Sequence, residues 1–132
     1  MKIPILRIKD ILLTTIQEEI TDQEILKFQE DVLNTAANTA AAGIVIDVTA
    51  LEVVDSYMAR VLNDTANMLQ LLGLEAVICG IQPSVALALV EMGRELIGVD
   101  TVLNLDQGME RIQQLVREKG SGNGQGRRSD RR

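Results

Sequence analysis

The order of apolar segments along this chain predicts an α/β fold, with a mixed, mostly parallel β-sheet packed against about four α-helices. Three observations carry that prediction. Short β-branched runs alternate with longer segments of helical periodicity, which implies parallel strands joined by right-handed crossovers. Two early runs, Ile3-Leu6 and Ile11-Thr15, flank Lys9-Asp10 and read as a hairpin, so one pairing is antiparallel. Finally, Gly43 to Val48 is nearly continuous in β-branched residues, as expected of a strand covered on both faces.

The elements follow in order. Thr21 and Glu24 form a capping-box pattern, and behind it Ile25, Phe28, Val32, Leu33 and Ala36 share one helical face. This first helix should end in the Ala/Asn/Thr-rich stretch before Gly43. After the Gly43–Val48 strand, a second helix starts near Asp55-Ser56. Met58, Val61, Leu62, Thr65, Leu69 and Leu72 recur in it at helical spacing, and Gly73 is a natural left-handed stop. Ala76 to Cys79 reads as another buried strand. Pro83 suits the first turn of a third helix with Val85, Ala88, Leu89 and Met92 inward and Gly93 at its end. Thr101-Val102-Leu103 is expected to be the last strand, and Asp106 to cap a final helix carrying Met109, Ile112 and Val116.

Composition narrows the class. The chain has 132 residues, 46% of them hydrophobic, enough for one core. Phe28 and Tyr57 are its only aromatics, so that core is aliphatic. One domain is expected over residues 1–119, followed by a disordered Gly/Arg-rich tail over 120–132. The tail holds Arg127, Arg128, Arg131 and Arg132, which makes the body more acidic than the net charge of −6. An acidic body speaks against nucleic acid as a partner. The single cysteine, Cys79, lies in an apolar run and reads as a core residue in a reducing compartment. No early apolar run suggests a signal peptide, and none reaches the ~20 residues of a membrane span, so the expectation is a soluble, cytoplasmic protein.

The chemistry concentrates in Asp47-Val48-Thr49-Ala50-Leu51-Glu52-Val53-Val54-Asp55-Ser56-Tyr57. With no histidine in the chain, no metal-ligand spacing and no Gly-x-Ser-x-Gly elbow, Ser56 is poorly placed to be a nucleophile. At a helix start it is well placed to carry a phosphate, because the first N–H groups of a helix lack internal partners. Taken alone, an Asp-Ser pair before an apolar run is also an ordinary helix cap. Whether Asp55 or Ser56 does the capping stays open on the sequence.

The run DVTALEVVDSYMARVL resembles the signature of the STAS-domain family of anti-sigma factor antagonists, and Gly80 with Pro83 matches the family's Gly-x-x-Pro. The resemblance covers residues 1 to 119 and implies a STAS-type fold. It implies that Ser56 is a phosphoacceptor, with Asp55 its motif neighbour, Asp47 and Thr49 shaping the adjoining loop and Tyr57 beside the site. Direct antagonists in the family follow the serine with a small residue and Gly-Leu-Gly. Here Tyr57-Met58-Ala59-Arg60 follows, which looks like the stressosome scaffold branch. The resemblance further implies a chain without the N-terminal sensory domain of RsbR-like members, with Ala88 where they often carry a second phosphothreonine.

That branch implies a non-catalytic scaffold needing no cofactor or metal. It would assemble with RsbR-like STAS proteins as a homo-oligomer or large hetero-oligomer, and hold an RsbT-like serine kinase until Ser56 is phosphorylated. An RsbX-like phosphatase would reset the site. A direct anti-sigma factor antagonist controlled through the same serine is the alternative reading. A nucleotide- or lipid-sensing STAS domain is a further one, on which the sequence is silent.

Overall fold

The computed structural model describes residues 3–91, 93 and 99–121. Among the described residues nine elements follow one another: β1 (Ile5–Ile8), β2 (Ile11–Thr15), α1 (Asp22–Asn38), β3 (Gly43–Asp47), α2 (Ser56–Leu71), β4 (Glu75–Cys79), α3 (Pro83–Glu91), β5 (Asp100–Val102) and α4 (Leu105–Ser121). The five strands form one sheet in sequence order. β1 pairs antiparallel with β2, and every later pairing is parallel. This is the mixed α/β architecture the periodicity predicts.

Alternation along the central strands sorts the core into two layers. Ile44, Ile46, Ala76 and Ile78 point to one face, where Ile25, Phe28 and Val32 of α1 meet Met58, Ala59, Ala66 and Leu69 of α2. Val45, Val77 and Cys79 point to the other, where Ile112 and Leu115 of α4 cover them. Helix α4 can lie this close because β3 begins with a glycine. A Cβ on Gly43 would sit 2.8 Å from the Ile112 side chain. Among the described residues, no helix is long and apolar enough to cross a membrane.

Local chemistry sets most boundaries. The capping box at α1 forms as expected, with the Glu24 amide donating to Thr21 Oγ1 at 3.1 Å and the Thr21 amide to Glu24 Oε1 at 2.9 Å. Five expectations need correction. β1 starts at Ile5 rather than Ile3, after Pro4, which lacks the N–H that a ladder uses and instead accepts from the Thr14 hydroxyl at 2.8 Å. Asp106 lies inside the first turn of α4. The residue before that helix, Asn104, accepts from the Gln107 amide at 2.9 Å and does the capping. Leu72 is the C-cap of α2 and is half exposed, because the chain turns there into Gly73 (φ 97°). β5 runs one residue earlier than expected and leaves Leu103 exposed. Helix α4 continues to Ser121, so the first two residues of the expected tail are helical. Met92 and residues 122–132 lie outside the described residues.

Candidate functional site

The parallel register brings the C-terminal ends of β3 and β4 together, with Asp47 paired to Cys79. The ladder runs one step further through the Val48 amide, which donates to the Cys79 carbonyl at 3.0 Å. From there the chain must cross to α2 in a short loop, and two tethers shape it. Asp47 Oδ1 accepts from both the Thr49 amide at 3.0 Å and the Thr49 hydroxyl at 2.6 Å, an Asx-type turn. On the far side, the start of α3 holds the same loop. Gln82 Nε2 donates to the Thr49 carbonyl at 2.5 Å, and the Ser84 hydroxyl to the Glu52 carbonyl at 3.1 Å.

Gly80 makes that approach possible. Its φ of 83° is left-handed, and a Cβ there would collide with the Thr49 hydroxyl and lie 3.0 Å from Thr49 Cα. The Gly-x-x-Pro pattern therefore has a physical meaning. The glycine lets β4 turn under the loop, and the proline starts the helix whose flanking residues, Gln82 and Ser84, grip it.

The loop ends at Asp55, which is the N-cap of α2: Oδ1 accepts from the Met58 amide at 2.8 Å. This resolves the choice the sequence left open. Ser56 is thus the first helical residue, exposed, and among the described residues its hydroxyl has no hydrogen-bond partner. Asp55 and Glu52 are exposed beside it, while Val54, Met58 and Ala59 are buried and fix the helix start to the core. Tyr57 is half-buried against that core, with the Arg60 guanidinium 5.7 Å from its ring centroid.

All five residues expected at the site therefore converge on one end of the sheet: Asp47 and Thr49 as loop formers, Asp55 as cap, Ser56 exposed, Tyr57 as its packed neighbour. Sequence reasoning missed Gln82, Ser84 and Arg60. The first two flank Pro83, and their reach across to the loop is a tertiary fact. Arg60 lies four residues after Ser56, a spacing that was visible but has meaning only once Ser56 is known to begin the helix.

The arrangement presents an exposed hydroxyl at the end of the sheet. The cavity beneath the loop, lined by Val48, Leu51, Val54, Leu62, Ile81 and Val85 among others, is apolar and measures about 20 Å³. That is room for one water and no substrate. Behind it, burial and the nearby Asp47 carboxylate push the Cys79 thiol up to about 12, which disfavours the thiolate form.

Comparison with known proteins identifies the family and the fold. The STAS domain family matches residues 2–107. A serine-to-glutamate variant of RsbS from Moorella thermoacetica superposes with a TM-score of 0.80 and 42% identity, covering 89% of this chain and 99% of that one. A chain from the molecular architecture of the stressosome, a signal integration and transduction hub, gives 0.77 and 43%, covering 86% and 99%. The RsbT co-antagonist protein RsbRA of Bacillus subtilis is 26% identical over 93 residues, which is 70% of this chain and 34% of that protein. The chain thus spans about a third of that curated relative.

Proposed function

From the premise that the chain belongs to the STAS-domain family, we propose that it is a stressosome scaffold subunit of the RsbS type, non-catalytic and switched by phosphorylation of Ser56. One observation carries the reading: Asp55 takes the capping role and leaves the Ser56 hydroxyl exposed and unpartnered at the start of α2. The likeness to RsbS and to a stressosome chain at 42% and 43% identity supports the scaffold branch. The likeness to RsbRA supports assembly with RsbR-like partners.

The chemistry is a phosphoryl transfer from ATP supplied by an RsbT-like kinase. A bond forms between Ser56 Oγ and the γ-phosphorus, the bond from that phosphorus to the β–γ bridging oxygen breaks, ADP leaves, and the hydroxyl proton is lost. The product carries about −1.5 to −2 charges at pH 7. It sits on a helix N-terminus, which tolerates an anion, so the fold survives. A partner seated against the neutral hydroxyl would meet a dianion to desolvate. Losing ~3 kcal/mol there lowers affinity more than a hundredfold, without any backbone movement. An RsbX-like phosphatase would reverse the change by hydrolysis, and the protein would act in the cytoplasm.

The test is labelling with an RsbT-like kinase and radioactive ATP. The wild-type chain takes up phosphate, Ser56→Ala does not, and Ser56→Asp retains the kinase less well. Equal labelling of Ser56→Ala overturns the site. Mixing with an RsbR-like protein distinguishes the scaffold from a direct anti-sigma antagonist. A megadalton particle by light scattering supports the scaffold, and a small heterocomplex supports the antagonist.

A further inference from the structure

Arg60 is the cation nearest in helical geometry to Ser56. The two occupy positions i and i+4 of α2, which places their side chains one above the other on the same face. Arg60 is exposed, and no carboxylate pairs with it among the described residues. Its guanidinium is instead held over the Tyr57 ring, 5.7 Å from the centroid. The carboxylates near the helix start, Glu52 on the loop and Asp55 at the cap, lie before Ser56 in sequence, whereas Arg60 lies one turn beyond it. Asp55 is already committed to the Met58 amide.

We propose that Arg60 is the internal receptor for the phosphoryl group on Ser56: on phosphorylation its guanidinium leaves the Tyr57 ring and pairs with the phosphate. This deepens the proposed function and rests on Ser56 being the acceptor. An exposed cation–π contact is weak. A guanidinium–phosphate pair is charge-assisted, can be bidentate, and is roughly twice as strong as a neutral hydrogen bond. The order of the pair, anion at i and cation at i+4, is also the one that a helix favours. Phosphorylation therefore does two things to the docking surface. It adds a dianion that is partly neutralised from within, and it uncovers one face of the tyrosine ring. A partner selected by the modified state would read the bare ring and the Arg-bound phosphate together. A partner selected by the unmodified state would read the arginine-covered ring.

The chain has a single tyrosine and no tryptophan, so its ultraviolet emission reports Tyr57 alone. Phosphoserine is installed at position 56 of the full chain by genetic-code expansion, without any kinase. Two readings follow, in the wild type, Arg60→Ala and Arg60→Lys. By phosphorus NMR, the phosphate of the wild type should lose its second proton about half a pH unit lower than in Arg60→Ala, the size expected for an exposed ion pair. Arg60→Lys should restore part of that difference. Acrylamide quenching of Tyr57 should rise on modification in the wild type and stay constant in Arg60→Ala, where the ring is already bare. Identical phosphate titrations in the wild type and Arg60→Ala, or Tyr57 quenching unchanged by the phosphate, would overturn the proposal. Because the phosphate is installed directly, neither result depends on whether a kinase uses Ser56.

Discussion

At the scale of single residues, the site is a set of divided duties. Asp55 caps, so Ser56 need not; Gly80 vacates the space that Thr49 fills; Asp47 holds the loop rather than reacting. Cys79 shows how such packing becomes a property of the whole chain. Its thiol is raised from 9.0 to about 12, first by burial and then by Asp47. Below about pH 9 the thiol is protonated in both folded and unfolded chains and contributes nothing to pH dependence. Above it the unfolded chain ionises while the folded one holds its proton, so stability falls as pH rises toward about 12, at about 1.4 kcal/mol per pH unit. Urea denaturation at pH 8 and pH 10.5 should show the wild type losing more stability than Cys79→Ala over that interval. Parallel losses in the two proteins would mean that the thiol is not responsible.

At the scale of elements, α1 and α2 are joined by more than aliphatic contact. Thr65 is 1% exposed; its hydroxyl donates to the Val61 carbonyl at 2.6 Å and accepts from Gln29 Nε2 at 2.8 Å. Replacing Thr65 with Val removes the nearer acceptor of Gln29 Nε2 and leaves only the Val61 carbonyl at 3.5 Å, which should cost about 1–2 kcal/mol. A double-mutant cycle with Gln29→Leu should return a coupling of about 0.5–1.5 kcal/mol in chemical denaturation, and strict additivity would show the bond to be idle. This bond was not legible in the sequence, where Thr65 simply filled an apolar slot of the helical repeat. The helix itself was legible, because Met58, Val61 and Leu69 carry its period and the Asp-Ser pair marks its start. Boundaries governed by neighbours were less so. Asn104 outcompetes Asp106 as a cap because β5 ends early enough to free it, and that depends on the pairing with β4. Ser56 and its loop could be read from a local pattern, while the grip of Gln82 and Ser84 on that loop could not, since 33 and 32 residues separate the partners.

At the scale of the whole molecule, two apolar layers share one sheet and protection should follow cover. β3 and β4 are buried on both faces and paired on both sides, whereas β1 and β5 are edges of four and three residues. Native-state hydrogen exchange should therefore find the amides of Ile44, Val45, Val77 and Ile78 opening only with global unfolding, and those of β1 opening far more readily. Equal protection across all five strands would contradict this layering. Short edges are also how a sheet protein avoids pairing with its neighbours, and Arg7 adds an exposed charge to β1. The order of the layers in the chain has a consequence for biogenesis. The second layer closes only with α4, which follows every strand it covers. A ribosome thus delivers a nascent sheet whose Val45 and Val77 side stays wet until α4 clears the exit tunnel. For that interval the newborn protein offers chaperones a greasy flank that the finished one never shows.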